Sequence, residues 1–393
     1  MRGVFILSAV RTAIGKFGGS LREFSAPDLG VITAQAALGR AGVEADAVEE
    51  VIFGHARQAG NGPNPARQIA VRSGIPVGTP AYTVNKACAS GMKAIVLGYQ
   101  EILLGNADVV LAGGTEAMSR VPYFVEGARW GARLGHQTMT DGMYQDGFLC
   151  PVAKMIMGET AEVLAEQYKI SRDEQDAFAL VSQLRAQRAV ESSRFAEEIV
   201  PATIKEKKGE RAFKVDEHPR SETTLESLAK LPPVFSQRGT ITAGNSSGIT
   251  DGAAALVVVS EERAARSPVK PLARIVGYAT AGVDPRMMGI GPVPAVQKLL
   301  AKSGRTLDDF DLVELNEAFA AQVLACDRDL HFDRERLNVN GGAIALGHPI
   351  GCTGARITVT LLHEMRKRRA RRGLATLCVS GGMGMALELE SAS

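Results

Sequence analysis

The chain has 393 residues, enough for two core-forming units or one large duplicated fold, and 45% hydrophobic against 22% charged residues exclude a disordered or fibrous chain. With 45 basic and 43 acidic residues the formal net charge is only +2, which gives no argument for nucleic acid or an anionic membrane as the main partner. Five widely spaced cysteines, without paired Cys-x-x-Cys units and with no secretory segment ahead of them, fit a reduced intracellular protein and not a disulfide or metal scaffold.

In chain order, Val4-Phe5-Ile6-Leu7 reads as a first strand, too short for a signal peptide. No apolar run approaches the roughly 20 residues needed to span a bilayer, and Ser391-Ala392-Ser393 is not a peroxisomal address, so a cytoplasmic location is expected. Residues 36–54 read as helix, Gly42, a turn with Asp46 and the strand Val51-Ile52-Phe53. The same pattern returns 262 positions later as helix, Gly304, a turn with Asp308 and Val313-Glu314-Leu315. Val84-Asn85, a helix and Val109 to Gly114 are likewise echoed by Val339-Asn340, a helix and Ala375 to Cys378. Strands alternating with helices in both copies predict an α/β fold of duplicated βαβ halves, with mostly parallel sheets and helices on their faces. Between the copies lies a stretch of different character, holding the amphipathic run from Ala161 to Val190, with a capping box at Ser171 and Glu174, and the charged segment from Lys205 to Arg211. The division expected is residues 1–118 and 251–268 for the first half, an inserted loop domain at 119–250, and 269–393 for the second half.

Active sites of such sheets gather at strand ends and helix starts. Asn85-Lys86-Ala87-Cys88-Ala89-Ser90-Gly91 puts a cysteine where a strand turns into a helix, and backbone N–H groups there favour a thiolate and an oxyanion. At the equivalent place in the second half, the run from Asn340 to Gly351 surrounds His348 with small residues, which suits a general base. Cys378 ends the last strand before Ser380-Gly381-Gly382, and Asn316-Glu317-Ala318-Phe319 follows the strand that duplicates Val51 to Phe53. Taken singly, each cysteine reads first as a packing residue and Asn316 as a helix cap, and His348 reads equally as an incidental loop residue.

Together these four segments closely resemble those of the thiolase family, along nearly the whole chain. Further resemblances are Gln58-Ala59-Gly60 with Asn64 to Gln68, Gly113 to Ser119, and Thr242 to Gly248. The resemblance implies a thiolase-like α/β/α/β/α layering and acyl transfer through a Cys88 thioester. Two acetyl-CoA would condense to acetoacetyl-CoA and CoA, or the reverse thiolysis would run. It implies that His348 takes the Cys88 proton and that Cys378 handles the proton on carbon. One oxyanion hole would be formed by His348 with a water held by Asn316. The other would use the backbone N–H groups of Cys88 and of the Ser380-Gly381 turn, where the commoner family pattern has Gly at position 380. CoA is implied as substrate and product, with no metal or other cofactor. Its contacts would be Arg220 at the nucleotide end, Ser227, Leu231, Phe235, Ala243 and Ser247 along the adenine and pantetheine, and Ala318 and Phe319 beside them. A homotetramer is implied by the same resemblance, while no nucleic-acid or membrane partner is expected from the small net charge.

Cys88 to Lys93, with Met157 and Met288 keeping the acyl pocket short, resembles the acetoacetyl-CoA-forming branch. Gly351-Cys352-Thr353-Gly354, and Ile156 where that branch often has His, look more like the degradative 3-ketoacyl-CoA thiolases. A β-ketoacyl synthase would complete its site with two histidines or His and Asn where this chain has Cys378. A non-catalytic acyl-CoA or lipid-binding relative would lack Cys88, His348 or Cys378. The basic run Arg366 to Arg372 reads as a solvated helix end, and Lys205 to Lys208 as an exposed loop edge.

Overall fold

The structure is a computed structural model that describes residues 2–207 and 209–392. Its core is a mixed sheet whose main path contains β1 (Val4–Thr12), β2 (Glu50–Gly54), β3 (Ala81–Val84), β4 (Val109–Ala117), β5 (Thr250–Ser260), β6 (Ala273–Gly282), β7 (Leu312–Leu315), β8 (Arg372–Val379) and β9 (Met383–Ser391). They lie in the order β7-β8-β9-β6-β1-β5-β4-β2-β3. The order reads alike from both ends, β2-β4-β5-β1 matching β7-β8-β9-β6, and the halves join where Phe5 and Ile6 pair with Arg274 and Ala273.

The repeat read in the sequence is a repeat in space. Gly42 and Gly304 both end a helix in the left-handed conformation, at φ 60° and 65°. A short 3-10 turn follows each, Ala45–Ala47 and Leu307–Asp309, and then β2 or β7. The second copy has lost its counterpart of β3: only a single bridge from Leu337 to Val313 remains beside β7.

The strand directions correct the expectation of mostly parallel sheets. Along the main path, parallel pairing is confined to the flanks, β3 with β2, β2 with β4, and β7 with β8, while every pair from β4 through β9 to β8 is antiparallel. The reason is local for β8 and β9: only Ser380-Gly381-Gly382 separates them, and a tight turn cannot make the crossover that a parallel pair requires. For β4 and β5 the long insert hides the connection.

The helices concerned are α1 (Ala26–Ala41), α2 (Ser90–Leu104), α3 (Met157–Gln167), α4 (Arg172–Glu191), α5 (Pro292–Ser303), α6 (Ala320–Leu330) and α7 (Ile350–Arg368). Outside the first half, α1 packs through Leu38 on Val10, Val51 and Val257. Outside the second, α5 packs through Val296 and Leu299 on Leu374 and Ala386. Between the halves lie α2 and α7, whose Ile95, Val96, Ile357 and Leu361 share one core with Val110 and Leu256 from one side and Leu377 and Leu387 from the other. The five layers are thus α/β/α/β/α. None of the described helices is long and apolar enough to cross a membrane.

The two central helices touch at their first turns because glycine stands there. A Cβ on Gly91 would lie 2.8 Å from the Ala355 backbone nitrogen, and one on Gly354 2.5 Å from that of Met92. Gly114 beneath them is as constrained, with the Gly351 carbonyl 2.5 Å and the Gly91 Cα 2.9 Å from a Cβ there.

In the insert, α3 and α4 break at residues 168–171, where the Ser171 N–H donates to Glu174 Oε2 at 2.7 Å and completes the capping box. The far part of the insert is tied to β1 by buried Arg11, which meets Glu198 at 2.6 Å and Asp216 at 2.7 Å. The basic run closes α7: Arg366 pairs with Glu197, Arg368 with Glu364, and Arg371 and Arg372 with Glu390. Lys205 to Lys207 fall on the exposed hairpin Ala202–Glu206 with Gly209–Phe213, and Lys208 lies outside the described residues.

Gly91→Ala and Gly354→Ala should each lower unfolding stability in a denaturant titration by about 1–3 kcal/mol, the cost of overpacking a close contact. A surface control, Gly39→Ala, where a Cβ meets nothing within 4 Å, should change it little or slightly raise it.

Candidate active site

The first turns of α2 and α7, the Ser380 turn and the insert enclose a cavity of about 480 Å³. Of the residues singled out in the sequence, Cys88, His348, Cys378, Ser380, Arg220, Phe235, Ala243, Ser247, Ala318, Phe319, Met157 and Met288 line it.

Cys88 follows β3 in a turn built by its own side chains. Asn85 Oδ1 accepts the Ala87 N–H at 3.0 Å, and Ser90 Oγ accepts from Lys86 N at 2.8 Å while donating to the Ala87 carbonyl at 2.6 Å. These bonds hold Ala87 at φ 44°, a conformation costly for a residue with a Cβ, of the kind found where a side chain must be aimed. The half-buried Cys88 thiol is pushed above its ordinary value by burial, against the opposing pull of the Ser380 N–H, the Arg57 charge and its own N–H. At neutral pH it is therefore a thiol and needs a base.

His348 lies in the loop before α7, its N–H donating to the Gly248 carbonyl at 3.1 Å. Burial, with the charges of Arg356 and Arg57, pushes the imidazole down to about 3, so it is neutral across the physiological range. Its Nδ1 lies 2.6 Å from Thr353 Oγ1, and that hydroxyl lies 3.0 Å from the Pro349 carbonyl. A hydroxyl has one proton, and the helix carbonyl can only accept it, so His348 Nδ1–H is the donor to Thr353. This leaves the Nε2 lone pair free as a base.

Cys378 ends β8, fully buried, and burial raises its thiol well above the ordinary value, with the nearby Cys88 acting in the same direction. Asn316 is buried beside the cavity and does not line it. Its backbone N–H donates to the Thr376 carbonyl at 3.0 Å, while neither its Oδ1 nor its Nδ2 has a partner among the described residues. The cap left open by the sequence is not its role, since α6 begins after Phe319. Gly381, at φ 88°, forms the turn behind Ser380.

Two CoA candidates fall outside the lining. Ser227 is exposed and caps the short helix Leu225–Ala229 by exchanging hydrogen bonds with Thr224, and Leu231 packs with Leu228 around Gly244. Met157 and Met288 cluster with Cys378, Ala318 and Phe319, and Phe235 meets Phe319 edge to face at 6.2 Å. The wall beside Cys88 is different: Met118, Phe148 and Ile350 form it, and Arg57 and Tyr144 also line the cavity. None of these five was given a role from the sequence, although Met118 and Ile350 lie within the runs Gly113 to Ser119 and Asn340 to Gly351. Arg57 carried no distinguishing signal, since a charge three residues beyond the strand Val51 to Gly54 reads as a surface residue.

Beneath the site lies a buried carboxylate, Glu116. It accepts from Ala56 N at 3.2 Å, Arg57 N at 3.1 Å, Gly351 N at 2.7 Å and His55 Nδ1 at 2.9 Å. Burial alone would raise both partners' neutral fractions. The mutual attraction of His55 and Glu116 prevails, so that His55 is raised and Glu116 lowered from their ordinary values. Through Gly351 and Arg57 the pair ties the start of α7 to the end of β2.

With its thiol raised, Cys88 should be alkylated by iodoacetamide about tenfold faster for each pH unit from about pH 6 to about pH 9. Peptide mapping of the modified protein measures this, and a plateau already reached near neutrality would contradict the assignment.

Comparison with known proteins agrees over the full length. Residues 4–262 match the N-terminal domain of thiolases and residues 269–391 their C-terminal domain. The chain is 52% identical to an acetyl-CoA acetyltransferase of Pseudomonas aeruginosa, over 99% of both chains, and 51% identical to one of Cupriavidus necator, over 99% of this chain and 100% of that one. Among solved structures, the acetyl-CoA acetyltransferase of Bacillus anthracis superposes with a TM-score of 0.97 at 50% identity, covering 100% of this chain and 99% of that one. The human mitochondrial 3-ketoacyl-CoA thiolase in complex with CoA superposes with a TM-score of 0.96 at 46% identity, covering 100% and 98%. By sequence, by architecture and by the residues gathered at its cavity, this chain belongs to the thiolase family.

Proposed function

We propose that the chain is an acetyl-CoA acetyltransferase, joining two acetyl-CoA into acetoacetyl-CoA and CoA or running the reverse thiolysis. The observation that carries this reading is that Cys88, His348 and Cys378, from three separate segments, face one cavity large enough for an acylated pantetheine arm. Full-length relatives of that name support it.

In synthesis, His348 Nε2 takes the Cys88 proton as the sulfur attacks the thioester carbonyl of the first acetyl-CoA. The tetrahedral oxyanion collapses, the C–S bond to CoA breaks, and the proton passes from His348 to the departing CoA sulfur, leaving acetyl-Cys88. Cys378 passes its proton to the freed His348 Nε2 and, as thiolate, removes a methyl proton from the second acetyl-CoA; the resulting carbanion attacks acetyl-Cys88, and the released Cys88 sulfur takes the proton back from His348. In thiolysis the order reverses, and the Cys378 thiol protonates the departing acetyl-CoA carbon. A thiol raised well above its ordinary value is ready for that acid role as it stands.

Negative charge on oxygen develops twice. The N–H groups of Cys88 and Ser380, both directed at the Cys88 sulfur, are placed to receive it at the acyl carbon. A backbone donor serves as well from Ser as from the Gly commoner in the family. Asn316, with donor and acceptor both unengaged, suits a water that with His348 receives the thioester oxygen of the second substrate. CoA would run along Phe235, Ala243, Ser247, Ala318 and Phe319 with Arg220 toward its nucleotide, under an inserted loop domain spanning residues 119–250. A cytoplasmic homotetramer is the assembly the family likeness favours.

Cys88→Ala should abolish both directions, with a loss on the order of a thousandfold or more in kcat. Thiolysis at fixed CoA should favour acetoacetyl-CoA over 3-oxo-octanoyl- and 3-oxohexadecanoyl-CoA. Equal or better turnover of the long substrates would make the chain a degradative 3-ketoacyl-CoA thiolase, and activity surviving without Cys88 would overturn the mechanism.

A further inference from the structure

The cavity contains a cation that nothing in the proposed reaction uses. Arg57 is 6% exposed and lines the wall beside Cys88. Its guanidinium makes no hydrogen bond and has no carboxylate within 4.0 Å among the described residues, and its Nε is sealed from solvent without a partner. An arginine cannot shed its charge to escape such a place, so an unpaired one is retained at a cost.

The surroundings are shaped to hold it there. Gly147 leaves room that a side chain would fill, since a Cβ at that position would lie 2.5 Å from Arg57 Nε and 2.8 Å from Cζ and Nη2. The nearby carboxylate, Glu116, is already occupied by His55 and three backbone N–H groups, one of them that of Arg57 itself. The apolar side chains of Phe148, Met118 and Ile350 pack with Cys88 and line the same cavity as Arg57, a wall suited to methylene groups. The other arginine of the cavity, Arg220, belongs to the insert, whereas Arg57 follows β2 directly after Ala56, which packs in one cluster with Cys88.

An acyl chain held on Cys88 with a second carboxylate at its far end would satisfy all of this. The charge would meet Arg57 in the bidentate geometry that guanidinium and carboxylate favour, and the methylenes would lie on the apolar wall. Resting on the thiolase reading of Cys88, we propose that Arg57 is a specificity residue for 3-oxoacyl-CoA thioesters bearing a terminal carboxylate. Their thiolysis breaks the bond between the second and third acyl carbons. The third carbon bonds to the Cys88 sulfur, Cys378 protonates the acetyl-CoA carbanion, and incoming CoA takes the carboxyacyl group from Cys88 to give a dicarboxylic mono-CoA thioester and acetyl-CoA.

The test compares kcat/KM for thiolysis of 3-oxoadipyl-CoA and 3-oxohexanoyl-CoA, which differ only in the terminal group, with acetoacetyl-CoA as reference. The wild-type ratio of the first two should exceed about tenfold, as expected where a buried polar group is left unpaired by the analogue. In Arg57→Met it should fall to one or below, and Arg57→Lys should retain part of it. A wild-type ratio at or below one, with 3-oxohexanoyl-CoA and acetoacetyl-CoA turned over, overturns the assignment of Arg57 alone and points to a carboxylate of a second copy as its partner. A ratio unchanged in Arg57→Met overturns it too. Failure to turn over any of the three substrates overturns the thiolase reading beneath it.

Discussion

The close approach of two helix starts governs this structure. Helices α2 and α7 occupy the same position in the two copies of the repeat, and where their first turns meet, Gly91 and Gly354 leave no space for a side chain. A cysteine just before one helix and a histidine just before the other then share a cavity, although 260 residues of chain separate them. Gly114 and Gly351 extend the contact to the strand below, and Glu116 fastens the same strand to α7 through the Gly351 N–H. Duplication provides two helix N-termini facing one another, and divergence has given each a different nucleophilic or basic side chain.

Burial determines the protonation of the site. It holds both thiols and the imidazole neutral, so Cys88 cannot react without handing its proton to His348, and His348 cannot be lost to protonation in mildly acidic surroundings. Thr353 sets the tautomer that makes this transfer possible. Two charges lie close by under different rules. Glu116 is engaged on every side and acts as a structural tie, whereas Arg57 has no side-chain partner among the described residues, its charge acting on both Cys88 and His348.

Much of this was legible in the sequence because the repeat leaves marks at fixed spacing. Gly42 with Gly304, and β2 with β7, identified two α/β halves, and the equivalent junctions pointed to Cys88 and His348. Strand direction was not legible, because the alternation of helix and strand looks the same whether a strand returns by a crossover or by a turn such as Ser380 to Gly382. Ser227 and Leu231 were placed by resemblance alone and stand outside the cavity lining, Ser227 in a capping box with Thr224 and Leu231 against Gly244. Arg57 went unread because a single charge beyond an apolar strand looks like a surface residue, and only its enclosure by Gly147 and Phe148 shows otherwise.

The central claim is that Cys88 carries the acyl group and that His348 enables it to do so. Rapid-quench mass spectrometry of the protein mixed with acetyl-CoA alone measures this directly. One acetyl group should appear on the peptide holding Cys88 in the wild type and in Cys378→Ala, should form orders of magnitude more slowly in His348→Asn, and should be absent in Cys88→Ala. Acetyl found on Cys378 instead, or on Cys88 at an undiminished rate without His348, would contradict the account.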